Sequence, residues 1–146
     1  MSRPRPQPIG LQLTRVSRAV TQAFERALGD AGGSVAAWQV LLLIRSQQWS
    51  QQSEMARAMG VTSATLTHHL NALERQGLVR RWREPENRRV QRVELTDEGV
   101  ALFERLREVA VRHDRRLRSG LGEQDAARLA ELLERLEAAV SPDGEA

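Results

Sequence analysis

The stretch "QSEMARAMGVTSATLTHHLNALERQGLVRRWREPENRRVQRVELTDEG", residues 52–99, decides the fold of this chain. Its apolar spacing predicts two short helices, then two short strands, then the start of a long helix. Gly60 suits the left-handed residue that ends the first helix, Thr62 can cap the second, and Gly77 supplies the next stop. This order predicts a tight pair of helices followed directly by a β-hairpin.

The helix pair can be tested against the packing that a helix-turn-helix requires. Helices that cross steeply need a small residue at their contact and a turn residue without a clashing side chain, and Ala56 and Gly60 supply both. The other contact positions are all apolar: Met55, Met59, Val61, Leu66 and Leu70. These features favour a DNA-binding helix-turn-helix, and a helical hairpin inside an all-helical core is the alternative.

The outer face of the second helix carries short polar and hydrogen-bonding side chains. Such groups can approach base edges in the major groove without a large apolar penalty. The predicted DNA contacts of the helix pair are Ser53, Thr62, Ser63, Thr67, His68, Asn71 and Arg75.

The hairpin stands out by its charge, because "RRWREPENRRVQRVELT", residues 80–96, contains six arginines. Residues 61–93 hold seven arginines against three glutamates, whereas the rest of the chain has 15 arginines and 16 acidic residues. Arginine binds phosphate bidentately and keeps its charge, so a polyanion partner is one interpretation. A solvated face whose arginines pair with local glutamates is the other.

The position of the hairpin favours a polyanion partner over a solvated face. A helix-turn-helix followed at once by a basic two-stranded hairpin has the layout of a winged helix, in which the hairpin reaches the DNA backbone or minor groove. We therefore predict DNA contacts from Arg83, Arg88 and Arg89 of the wing.

Helical segments flank this region on both sides. Residues 9–28 form an amphipathic pattern with stops at Gly29, Gly32 and Gly33, and Ser34 can cap a buried helix that follows. Ser50 is the expected cap of the next one. Thr96 begins a long helix to about residue 118, and a last helix carries an apolar stripe of Leu129, Leu132, Leu133, Leu136 and Val140. The first and last stripes are too apolar for one small chain to bury alone, which favours a homodimer.

Composition excludes several classes of function. The 146 residues fit one domain, apolar runs are too short for a membrane span, and no cysteine is present for disulfide, redox or thiolate chemistry. The first ten residues lack the apolar core of a signal peptide, so a cytoplasmic location is expected. No cofactor, metal or catalytic activity is expected, because no phosphate loop or nucleophile with its base is recognisable and the adjacent His68 and His69 point about 100° apart.

In order and spacing, the motifs of residues 52–99 resemble those of the MarR (multiple antibiotic resistance regulator) family of bacterial transcription regulators. The motifs are Leu73-Glu74 with Gly77-Leu78-Val79, Asn87-Arg88-Arg89, and Leu95-Thr96 with Gly99. The chain departs from the family pattern at four positions: Asn87 replaces the usual aspartate, His68 a basic residue, His69 an apolar residue, and Ala72 a common arginine.

The resemblance, which extends over about residues 9–140, implies a mainly α fold with a small two- or three-stranded β wing. It implies a homodimer whose terminal helices interlock, so that residues 34–95 form the winged helix-turn-helix and residues 9–33 and 96–140 the dimerisation helices. Residues 1–8 would be a disordered arm and residues 141–146 a flexible tail.

The function implied is regulation, usually repression, by binding a pseudo-palindromic operator in double-stranded DNA. A small aromatic effector would release the DNA, and Arg15, Trp38 and His113 are the candidate lining of its pocket. Two alternatives stay open from the residues: a sequence-tolerant architectural DNA-binding protein and a helical protein-interaction module that grips an acidic partner.

Overall fold

A computed structural model describes residues 6–46 and 52–142. Within these ranges the elements, in chain order, are α1 (Ile9–Asp30), α2 (Val35–Arg45), α3 (Gln52–Met59), α4 (Ser63–Arg75), β1 (Val79–Arg83), β2 (Gln91–Leu95), α5 (Asp97–Ser119) and α6 (Glu123–Val140). The mainly α fold with a two-stranded wing is therefore confirmed. The expected cap at Ser50, most of the N-terminal arm and the end of the tail lie outside the described residues.

Three predicted caps are present as side-chain hydrogen bonds. The hydroxyls of Ser34, Thr62 and Thr96 accept the backbone N–H of the third residue onward, at 3.0, 3.1 and 3.1 Å. Such caps satisfy N–H groups that a helix cannot pair internally. Of the three glycines predicted to end α1, Gly29 lies inside the helix, which ends at Asp30, whereas the chain turns at Gly32, where φ is +91°.

The hydrophobic core gathers around α2, α4 and the first half of α5. Leucines 66, 70 and 73 form the predicted buried stripe of α4, and Met55 and Ala56 bring α3 against it. The core is completed by Leu28, Val40, Leu41, Ile44, Val79, Leu102, Phe103, Leu106 and Val109. This packing holds α3 and α4 at a fixed angle and leaves the other face of α4 accessible.

The junction between β2 and α5 is fastened to the turn after α4. Thr96 donates its hydroxyl to the Gly77 carbonyl oxygen at 2.6 Å and its N–H to the Leu78 carbonyl oxygen at 3.1 Å. A Cβ atom at Gly99 would lie 1.9 Å from that same Leu78 oxygen. The Leu-Thr-x-x-Gly motif therefore fixes the base of the wing, and we call the two hydrogen bonds that Thr96 donates the clasp.

The chain divides into two compact units, one extending to Ala110 and the other beginning at Val111 within α5. The predicted assignment of residues 34–95 to DNA binding and of residues 9–33 and 96–140 to dimerisation remains a prediction. No single helix of the described residues is both long and apolar enough to cross a membrane, and α1 and α2 meet that requirement only as a pair bent by 77°.

Candidate nucleic-acid interface

The wing is an antiparallel pair with Val79 opposite Leu95 and Arg83 opposite Gln91. Its tip is closed by backbone bonds from Glu84 N–H to the Val90 oxygen, 3.1 Å, and from Val90 N–H to the Asn87 oxygen, 3.0 Å. Asn87 Oδ1 also accepts the Arg89 N–H at 3.2 Å. The side chain of Asn87 therefore shapes the tip by an Asx turn.

Three wing arginines are neutralised by glutamates. Arg80 pairs with Glu94 across the strands, Arg81 Nε lies 3.1 Å from Glu74 Oε2, and Arg92 Nε lies 2.6 Å from Glu84 Oε1. The guanidinium of Arg81 also holds the pKa of the Glu74 carboxyl below its ordinary value by hydrogen bonding, against an opposing effect of burial. For these three arginines, the interpretation of local pairing is correct.

The charge of four other arginines of residues 61–93 is not offset by a carboxylate within ion-pair distance. Arg75, Arg88 and Arg89 have no ion-pair partner within the described ranges, and Arg83 donates through Nη1 to the Arg88 carbonyl oxygen at 2.7 Å. These four are the arginines predicted from the sequence to contact DNA. The basic segment therefore contains three arginines whose charge is offset by a glutamate and four whose charge is not.

Some of the α4 side chains that were predicted to contact DNA already have hydrogen-bond partners within the chain. His68 and Ser63 are exposed, and Thr67 donates its hydroxyl to the Ser63 carbonyl oxygen at 2.9 Å while accepting the side-chain amide of Gln52. Asn71 accepts the Arg81 guanidinium through Oδ1. Thr67 and Asn71 are therefore also fastened to α3 and to β1, a role that the sequence did not indicate.

A groove of about 520 Å³ separates the wing from the N-terminal ends of α3 and α4. It brings together four predicted contacts: Ser53, Ser63, Arg83 and Arg89. Gln52, Asn87 and Gln91 line it too and were not predicted as contacts. The strand register would have predicted Gln91 as a contact, because Gln91 pairs with Arg83 and cross-strand partners lie on the same face of a sheet. Hydroxyl, amide and guanidinium donors facing one groove are suited to a phosphate backbone.

The candidate effector residues lie on three different helices. Trp38 stacks on Phe103, with ring centroids 5.4 Å apart and an interplanar angle of 12°, and it packs against the core. Arg15 is exposed on α1. His113 belongs to the second compact unit. The pocket predicted from these three residues remains a prediction.

Comparison with known proteins gives a consistent result. A family model described as the MarR family matches residues 34–90. The transcriptional regulator PecS of Dickeya dadantii is 30% identical over 128 residues, which cover 86% of this chain and 77% of PecS. The repressor CouR bound to a 23-mer DNA duplex has a TM-score of 0.81 at 30% identity, covering 89% of this chain and 92% of CouR. CouR bound to p-coumaroyl-CoA has a TM-score of 0.77 at 29% identity, covering 89% and 91%.

Proposed function

This chain belongs to the MarR family of transcription regulators, and we propose that it acts as a homodimeric repressor that an organic effector releases from its operator. The observation that supports DNA binding is that four of the seven arginines of residues 61–93 have no ion pair within the described residues. Arg83, Arg88 and Arg89 on the wing and Arg75 on α4 form no ion pair within the described residues, and Ser63 and His68 of α4 are exposed. Arginines elsewhere in the described residues also lack an ion pair, so what favours DNA is the position of these four on the wing and on α4, which border the groove that the hydroxyl groups of Ser53 and Ser63 line.

In the proposed complex, α4 enters the major groove and the wing contacts the adjacent backbone and minor groove. Ser63, Thr67 and His68 face the base edges, and the groove between wing and helices receives a backbone phosphate. Ser53 and Thr62 add polar contacts at the helix ends. A two-fold dimer would place its two α4 helices about 34 Å apart, so the operator should be a pseudo-palindrome read on one face of the duplex.

The homodimer is supported by apolar side chains that stand exposed on the terminal helices. On α1, Ile9 is 60% and Val16 52% exposed, and on α6, Leu133 is 43% exposed beside Leu129 and Leu132. Such stripes at helical spacing are characteristic of surfaces that another chain covers. A second copy of this chain is the proposed partner.

Release by an effector is supported by the solved complex of CouR with p-coumaroyl-CoA. An effector can weaken DNA binding only if it binds better to a dimer whose recognition helices do not fit the groove spacing. Arg15, Trp38 and His113 stay the proposed lining for an aromatic acid.

The test is footprinting of the protein on the DNA upstream of its own coding sequence, with and without a panel of small aromatic acids. A protected pseudo-palindrome, at least about 1,000-fold preferred over random duplex at one salt concentration, is the expected result. Equal affinity for random duplex would instead identify a sequence-tolerant architectural protein, whose binding rests on arginine and phosphate alone.

A further inference from the structure

The side-chain amide of Asn71 on α4 already has one of its two ends occupied. Arg81 of β1 donates through Nη2 to Asn71 Oδ1. A guanidinium has donors only, so the amide oxygen, and not the amide nitrogen, must face Arg81. The nitrogen Nδ2, with its two hydrogens, makes no hydrogen bond within the described part of the chain. Asn71 can therefore still donate, but its acceptor is in use.

The guanidinium of Arg81 is itself held in place on α4. Its Nε lies 3.1 Å from Oε2 of Glu74, which is three positions after Asn71 and so lies on the same side of the helix. The Arg81 side chain is 13% exposed, whereas the other ion-paired arginines of the described residues are at least 41% exposed. A planar fork that binds two partners and is largely shielded from water keeps the amide in one orientation.

Asn71 belongs to the polar side of α4 that is proposed to face the DNA. Ser63, Thr67 and Asn71 follow one another at a spacing of four, which places them on one side of a helix. The hydroxyl hydrogen of Thr67 is already donated to the Ser63 carbonyl oxygen at 2.9 Å. Of Thr67 and Asn71, only Asn71 therefore has donors left for a base.

The orientation of the amide decides which base edge it matches. An asparagine with both ends free binds adenine in the major groove, because it accepts from N6 and donates to N7. With Oδ1 occupied, Asn71 cannot accept from the adenine amino group. Guanine presents two neighbouring acceptors, N7 and O6, and thymine presents one, O4, beside a methyl group. Guanine is therefore the base that best matches a group with two donors and no acceptor.

We propose that Asn71 selects a guanine in each operator half-site, and that Arg81 is the positioning residue that sets this choice. The inference rests on the proposed function, since it assigns a base to the helix proposed to enter the major groove. It predicts the opposite of the usual preference of asparagine for adenine, and it does so from the contacts of β1 with α4.

The first experiment compares the unaltered protein with Asn71→Ala on the operator found by footprinting and on all its single base-pair substitutions. The unaltered protein should prefer guanine over adenine by about fivefold or more at one pair in each half-site, and Asn71→Ala should lose that preference. Loss of a preference for adenine would overturn the proposal. An equal loss of affinity for every duplex would also overturn it, because a phosphate contact or a purely structural bond would give that result.

A base analogue then locates the contact. The guanine at that pair is replaced by 7-deazaguanine, which lacks the N7 acceptor. The analogue should weaken binding of the unaltered protein several-fold and leave Asn71→Ala unaffected, because only the unaltered protein has a donor to lose its partner. The same loss in both proteins would show that another side chain contacts this base.

The positioning role of Arg81 is tested by Arg81→Met, which frees Oδ1 of Asn71. Adenine should then bind at least as well as guanine at the same pair, because the amide can match N6 and N7 together. Arg80→Met is the matched control, since it removes a neighbouring ion-paired arginine that points to the opposite face of β1. The readout is the ratio of affinities for two operators, which partial unfolding does not change. A guanine preference as strong in Arg81→Met as in Arg80→Met would overturn this role.

Failure of this inference and failure of the proposed function give different results. If the operator is bound specifically but Asn71→Ala leaves every base preference unchanged, Asn71 selects no base and the proposed function stands. If the unaltered protein binds all duplexes equally, the proposed function fails and the inference fails with it.

Discussion

Glycine at position 99 is required by close packing rather than by backbone conformation. The Leu78 carbonyl oxygen, which would lie 1.9 Å from a Cβ atom at position 99, is backbone and cannot rotate away. It also accepts the Thr96 N–H, so any shift breaks the clasp at the base of the wing. The family motif that contains Gly99 thus has a direct steric cause.

Gly99→Ala should lower the free energy of unfolding by about 3 kcal/mol, the upper part of the usual range for overpacking. Urea denaturation measures it. Gly10→Ala is the control, because nothing lies within 4 Å of the added methyl group in α1. A Gly99→Ala variant as stable as this control would show that the clasp has no structural role.

Asn87 shapes the turn at the tip of the wing, and because it is neutral it also leaves the positive charge of the groove unreduced. Asn87→Asp can keep the bond from Oδ1 to the Arg89 N–H, but it places a carboxylate in the groove with Arg83 and Arg89. It should therefore pair with one guanidinium, weaken operator binding by about 1 kcal/mol and reduce the salt slope by about one. Asn87→Ala, which loses the turn without adding charge, should weaken binding while changing the slope less. Equal salt slopes for Asn87→Asp and the unaltered protein would show that the added carboxylate does not reduce the positive charge that meets the DNA.

One ion pair and one side-chain amide link α4 to β1, in addition to the apolar contacts of the core. Arg81 binds Glu74 and Asn71, and among the described residues it is the least exposed of the ion-paired arginines. The lowered pKa of Glu74 means that this pair stabilises the fold above the ordinary glutamate pKa of about 4.3. The stabilisation is lost as the pH falls through the lowered pKa.

Glu74→Gln should therefore reduce stability at pH 7 by less than about 1 kcal/mol, because the carboxyl is partly exposed, and the difference should shrink at acid pH. Thermal unfolding at pH 7 and pH 3 measures both values. A stability difference that grows as the pH falls would contradict the assigned sign.

Secondary structure was predictable because each element carries a local signal. Ser34, Thr62 and Thr96 are caps with hydroxyl side chains, and Gly60 and Gly77 end helices at positive φ. The division of the arginines was not predictable in the same way, because pairing depends on strand register and on the approach of β1 to α4. The tethering of Thr67 and Asn71 was missed for this reason, since their partners lie 15 and 10 positions away.

Binding of a pseudo-palindromic operator requires a dimer. Leu133→Glu places a charge in the exposed apolar stripe of α6, whereas Ala127→Glu places it on the opposite face of the same helix. Leu133→Glu should shift light-scattering mass towards the monomer at micromolar concentration and weaken operator binding, because one half-site is then bound without the other. Ala127→Glu should stay dimeric. Equal masses for the two variants would exclude α6 as the interface.

Two double variants, compared on the same operator, test whether the unpaired arginines of the wing bind the DNA. Arg88→Ala with Arg89→Ala removes unpaired cations, and Arg80→Ala with Arg92→Ala removes paired ones, so both lower the net charge by the same amount. Affinity is measured across a range of salt concentrations. The first variant should lose at least about 2 kcal/mol and reduce the salt slope by about two, while the second changes both only slightly. Equal losses would show that overall charge, rather than the unpaired arginines of the wing, binds the DNA.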